Sequence, residues 1–119
     1  MVHLVRATDA VPYDPPGHRG VAARRLQGGE AGGPERLTVS ISDYEPGATV
    51  DAAPVPATTY VLLAGSLELT LHGDEGTERH LTLHAHDSVH FTPGEVRSLR
   101  NAAGSPASLL VVRLDPDNA

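Results

Sequence analysis

From Arg36 onward the apolar residues of this chain recur at every second position. Leu37, Val39 and Ile41 alternate with Thr38, Ser40 and Ser42; Leu67, Leu69 and Leu71 with Ser66, Glu68 and Thr70; Leu81 and Leu83 with His80, Thr82 and His84. Successive side chains of an extended strand point to opposite faces, so this period buries one set and leaves the other outside. Tyr60 to Leu63 and Leu109 to Val112 are continuous apolar runs, as expected of strands covered on both faces. Turn-forming stretches separate them: Glu45-Pro46-Gly47, Ala64-Gly65, Gly73-Asp74-Glu75-Gly76, Thr92-Pro93-Gly94 and Ala103-Gly104-Ser105-Pro106. No window long enough for a helix keeps a 3.6-residue period free of Gly and Pro. Short strands with evenly spaced turns predict an all-β sandwich or barrel.

The length, 119 residues, suits one domain. Residues 1–35 read as a loop-rich N-terminal segment packing on the barrel or on a partner subunit. It carries Tyr13-Asp14-Pro15-Pro16-Gly17-His18-Arg19-Gly20 and the glycine-rich stretch 28–34, with a short strand between them at Val21 to Leu26. The barrel is expected over residues 36–115. Aromatics are few, so the core must come from Val, Leu, Ile and Ala.

The formal charge is -6, and all nine cationic side chains are Arg. A net acidic surface repels phosphate backbones, which speaks against nucleic acid, and no basic run suits an anionic membrane surface. The absence of Cys excludes disulfides, zinc-thiolate sites and a thiol nucleophile. Met1 to Ala10 has no apolar signal-peptide core, and nothing approaches the ~20 apolar residues of a membrane helix. The expectation is a soluble cytoplasmic protein.

Two segments in order resemble the cupin superfamily. The first is Pro46-Gly47-Ala48-Thr49-Val50 followed by Tyr60-Val61-Leu62-Leu63-Ala64-Gly65-Ser66-Leu67-Glu68-Leu69. The second is Asp87-Ser88-Val89-His90-Phe91-Thr92-Pro93-Gly94, continuing through Arg97 to Asn101. The resemblance covers about half to two-thirds of the chain and implies a double-stranded β-helix, a jelly-roll barrel. Cupins usually hold a divalent metal with three His and one Glu. Here the Glu position falls on Thr58, two His positions fall within Asp51 to Val55, where there is no His, and the third falls on Arg97. The Gly before Asp87 is replaced by His86. Thr, Ala and Pro do not substitute for imidazole and carboxylate, and a guanidinium opposes a cation. The resemblance therefore implies the fold without the family's metal, and no cofactor is expected.

Six residues are candidates for a site. Arg97 replaces an inward-facing ligand, on the face of Leu99 and Asn101. A guanidinium in an apolar barrel needs a partner, so Arg97 is either a clamp for a carboxylate or enolate oxygen or half of a salt bridge to Glu95 or Asp51. Thr58 and Tyr60 lie two apart and face the same way; the Tyr60 phenol can act as hydrogen-bond donor and weak acid, or simply pack. Phe91 is expected to face inward as a substrate-binding residue. His90 falls on the opposite side from Val89 and Phe91 and has the intrinsic pKa of a general base. Asn101 matches the family's second-motif Asn and is either a substrate contact or a turn anchor. His84, His86 and His90 superficially form a metal cluster, but the resemblance implies that His84 and His86 lie at a strand-to-strand turn, and His18 reads as a loop residue.

Three functions stay open: a metal-free barrel binding a small organic anion, a metal-free isomerase or cyclase using Tyr60 or His90, and a metalloenzyme with a rebuilt site. A symmetric homodimer is expected, because continuous apolar strands and a Pro-rich leader suit a covered edge.

Overall fold

A computed structural model describes residues 1–114; Asp115, the expected end of the barrel, lies outside them. Among the described residues the regular structure is β-strand apart from three single 3-10 turns. The strands are β1 (Val11–Tyr13), β2 (His18–Gln27), β3 (Leu37–Pro54), β4 (Thr58–Ala64), β5 (Ser66–His72), β6 (Glu78–His84), β7 (Ser88–Phe91), β8 (Val96–Arg100) and β9 (Ala107–Leu114). They form one antiparallel sheet in the order β6-β5-β8-β3-β9-β4-β7, with β2 added to β3 and β1 to β2. The sheet curls into a nearly closed barrel, the jelly roll that the alternation and the family resemblance implied.

Strand β3 sets the architecture. Its first half pairs with β9, Leu37 opposite Leu114 through Tyr44 opposite Ala107, and its second half pairs with β8 from Thr49 onward. Glu45-Pro46-Gly47, expected to be a turn, lies inside this strand at the point where it changes partner. Proline cannot donate to a ladder, and Gly47 takes φ 85°, which a β-carbon disfavours, so the pair bends the strand without ending it. At the next corner Gly65 carries the chain from β4 to β5. It also has positive φ, and a β-carbon there would stand 2.6 Å from the Pro106 carbonyl oxygen.

The core fills the barrel with Tyr44, Val50, Leu62, Leu67, Leu69, Leu83, Leu99 and Leu109. The runs at Tyr60 to Leu63 and Leu109 to Val112, expected to be covered on both faces, are not: Tyr60, Leu62 and Leu109 are buried, whereas Val61, Leu110, Val111 and Val112 are partly open and Leu63 is exposed.

The first 35 residues supply two strands. Strand β2 runs ten residues, well beyond Val21 to Leu26, and pairs with β3 from His18 opposite Val50 to Gln27 opposite Val39. That pairing brings the N-terminal segment against the mouth of the barrel.

Candidate site at the barrel mouth

Between Val50 and Ala53 the β3–β8 register shifts, with one extra residue on β3. The bulge turns Asp51 and Ala52 to solvent and sets Ala53 opposite Arg97. Arg97 consequently points into the barrel and is 8% exposed. Its Nε–H donates to the Tyr60 phenol oxygen at 2.9 Å, and its Nη1 donates to the Asp51 carbonyl oxygen at 3.2 Å. Both partners are neutral. The Asp51 carboxylate pairs instead with Arg19 on the outside, at 2.8 Å.

Tyr60 is buried and meets Phe91 edge to face, with ring centroids 5.1 Å apart. Its oxygen accepts from Arg97, which leaves the phenol's own hydrogen available to a ligand. Thr58 shares the inward face, its hydroxyl donating to the Pro56 carbonyl at 2.7 Å. Thr58, Tyr60 and Arg97 line one cavity of about 300 Å³, at the lower end of the range for small-molecule sites. A larger groove of about 660 Å³ runs elsewhere, past Gly73, Asp74 and Pro93 to Glu95, and is walled mostly by exposed loop residues.

Three of the six sequence candidates lie outside the cavity lining. His90 is exposed on the outer face, its Nδ1 2.7 Å from the Thr59 hydroxyl, because Thr59 and His90 are cross-strand partners on the side opposite Tyr60 and Phe91. Phe91 packs behind Tyr60. Asn101 is fully buried, and its side chain is consumed by backbone: Nδ2 lies within hydrogen-bond reach of the carbonyls of Tyr44, Glu45 and Ser105, and Oδ1 accepts from the Ala103 amide.

The sequence reading passed over what β1, β2 and the start of β3 contribute: Tyr13, His18, Arg25 and Tyr44 all line the cavity. The available signal was the period-two set Val21, Ala23, Arg25, which places an arginine on an inward face. The His18 Nδ1 is 2.9 Å from the Pro16 carbonyl. A carbonyl only accepts, so Nδ1 carries the hydrogen and Nε2 keeps its lone pair. Burial lowers the His18 pKa below the ordinary 6.5; the Pro16 bond opposes this, the Arg97 charge adds to it, and Asp51 opposes it. Burial also raises the Tyr44 pKa, so that phenol stays protonated.

The positions that would hold a cupin metal carry no suitable donor set. Ala53 and Val55 offer no ligand, the Thr58 hydroxyl is spent on Pro56, and the Arg97 cation points into the same space. His84 and His86 lie at an exposed turn, His86 in a left-handed conformation at φ 75° where the family keeps its glycine. Among the described residues no three His, Asp or Glu side chains are grouped to hold a metal ion, and no helix is long and apolar enough to cross a membrane.

No protein-family model matches the sequence. The fold is similar to the polyketide cyclase RemF from Streptomyces resistomycificus (TM-score 0.78, 22% identity, 94% of this chain and 78% of that one). It is also similar to the Drosophila melanogaster CENP-C cupin domain (TM-score 0.71, 13% identity, 92% and 78%) and to the cupin superfamily protein DSY2733 from Desulfitobacterium hafniense (TM-score 0.65, 16% identity, 80% and 77%). These likenesses concern the fold. A nearer relative is the β-D-galactosidase Rv1717 of Mycobacterium tuberculosis, 43% identical over 114 residues that span 95% of this chain and 94% of that protein. The chain has the cupin fold and belongs to the family of the mycobacterial protein Rv1717.

Proposed function

We propose that the barrel-mouth cavity binds a small β-galactoside and hydrolyses it without a metal. The observation that carries this reading is the 43% identity, along nearly the whole of both chains, to a protein named for β-D-galactosidase activity. The cavity is consistent with it. Hydroxyls, guanidinium groups and an imidazole surround a space of about 300 Å³, and such groups can pair with sugar hydroxyls.

Glycosidases ordinarily use two carboxylates, one as acid and one as base or nucleophile. No described residue lining this cavity is an Asp or Glu. The proton-moving groups there are Tyr60 and His18. In the proposed step a water oxygen bonds to the anomeric carbon as the glycosidic carbon–oxygen bond breaks. The departing oxygen takes the Tyr60 proton, the His18 Nε2 takes a proton from the water, and His18 then releases a proton to solvent as solvent returns one to Tyr60. Arg97, donating to the Tyr60 oxygen, stabilises the phenolate while it lasts.

The missing carboxylate pair also favours a second reading, a metal-free isomerase or cyclase in which the same acid and base move a proton beside a carbonyl while Arg97 holds the enolate oxygen. The deciding assay is hydrolysis of an aryl β-galactoside by chelator-treated protein. Turnover that falls by roughly a hundredfold in both Tyr60→Phe and His18→Asn supports the hydrolase. Intact protein that neither turns over nor binds any β-galactoside rules it out and leaves the proton-transfer enzyme.

A further inference from the structure

A galactoside need carry no charge, yet three of the nine arginines of this acidic chain, Arg25, Arg97 and Arg113, line the one cavity, with no carboxylate among its described lining residues. Arg113 stands directly across the strand pair from Thr38. Together with Arg25 these residues also border an outer groove of about 560 Å³ along Gly32 and Gly33, so they form the boundary between the cavity and the surface.

Arg25 is held but poorly satisfied. Its guanidinium carbon sits 4.2 Å from the centroid of the Tyr13 ring, and its Nη1 donates to the Ser40 hydroxyl at 3.2 Å. Among the described residues its Nε is buried without a hydrogen-bond partner, and the carboxylate of the exposed Glu30 stands 4.0 Å away. A buried, unpaired donor on a positive group costs free energy unless something completes it. A guanidinium fixed by an aromatic face, with an N–H to spare, matches the planar oxygens of a carboxylate, phosphate or sulfate.

We infer that Arg25 and Arg113 form an anion subsite beside Arg97, and that the substrate is an acidic glycoside whose sugar carries a carboxylate, phosphate or sulfate. The inference rests on the galactoside reading and narrows it. The net charge of -6 repels such a substrate from most of the surface, and the arginines concentrate it at the cavity.

The test is calorimetric titration at low salt with galactose, galacturonate, galactose 6-phosphate, galactose 6-sulfate, inorganic phosphate and inorganic sulfate. At least one acidic sugar is expected to bind about tenfold or more tightly than galactose. Arg25→Gln is expected to remove that preference, lowering the affinity for the acidic sugar about tenfold or more relative to that for galactose. Arg113→Gln, at an exposed position, reports on the same subsite if Arg25→Gln does not fold. The identity of the preferred sugar distinguishes carboxylate, phosphate and sulfate. Equal affinity for galactose and every acidic sugar, or a preference that survives both substitutions, overturns the subsite and leaves the galactoside reading standing. Inorganic sulfate or phosphate bound through Arg25, with no sugar bound, upholds the subsite and overturns the galactoside reading. Binding of neither sugar nor simple anion overturns both.

Discussion

Arg97 reaches across the barrel from β8 and gives its Nε–H to the phenol oxygen of Tyr60 on β4, 2.9 Å away, with both side chains more than nine-tenths buried. Its two hydrogen-bond acceptors, Tyr60 and the Asp51 carbonyl, are neutral. The cation is desolvated without a counter-ion among the described residues, an arrangement that costs stability and is useful where a ligand supplies the charge.

Arg97→Met is therefore expected to leave the fold as stable as the wild type or to stabilise it by about 1 to 3 kcal/mol, while abolishing ligand binding. Denaturant titration and calorimetry on the same preparation check both halves. A loss of more than about 2 kcal/mol would make Arg97 a structural residue whose removal strands its partners.

Asn101 is expected to behave in the opposite way. Its amide serves the carbonyls of Tyr44 and Glu45 where β3 bends and that of Ser105, so Asn101→Ala takes the donor from one buried and two half-buried acceptors. The expected cost is upwards of about 2 kcal/mol, with ligand affinity unchanged in the protein that remains folded. A variant of normal stability that binds tenfold more weakly would return Asn101 to the site.

The contrast between these residues shows what the sequence could convey. Alternation in β5, β6 and the part of β3 before Pro46-Gly47 carried the barrel; the family resemblance implied that Thr58 and Arg97 face inward, and two-residue spacing put Tyr60 on the face of Thr58. The same rule already set His90 opposite Phe91, and the structure places it on the outer face. Strand β3 looked interrupted because Pro46-Gly47 makes both a turn and a bend inside a strand, and local sequence does not distinguish them. His18, Arg25 and Tyr13 were illegible as site residues for another reason. Their strands are rich in Arg, Ala, Gly and Pro, with little β-branched character. His18 and Arg25 reach the cavity through the pairing of β2 with β3, as in Arg25 opposite Ser40, and Tyr13 through the pairing of β1 with β2.

The outer face of the sheet carries a row of apolar residues, Ile41 opposite Leu110 opposite Val61, flanked by Val39, Val112 and Leu63. We propose that this face is a self-association surface; a two-fold axis through Leu110 would bury the row against its own copy. The protein is expected to be a homodimer by light scattering at micromolar concentration, and Leu110→Glu is expected to yield a folded monomer. A monomeric wild type, or a variant that remains dimeric, would remove this face from consideration.

His18 sets the pH behaviour. Its pKa in the fold lies below 6.5, chiefly through burial and further through Arg97, while the Pro16 carbonyl and the nearby Asp51, itself paired with Arg19, act in the other direction. In the unfolded chain the imidazole titrates near 6.5. Above that pH both states hold it neutral and its contribution is complete. As the pH falls from 6.5 through the folded value, the unfolded chain binds a proton that the fold resists, so stability declines; below the folded value the decline from this group ends. Denaturant titrations at a series of pH values are therefore expected to show a shallower acid-side slope in His18→Asn than in the wild type. The six other histidines are common to both proteins, so the comparison isolates His18. The same depressed pKa keeps Nε2 free to accept a proton below pH 6.5, so the acid limb of the hydrolysis rate is expected below that pH. Identical stability slopes in the two proteins would show that His18 is not held neutral by its surroundings, and an acid limb above pH 6.5 would remove it as the base.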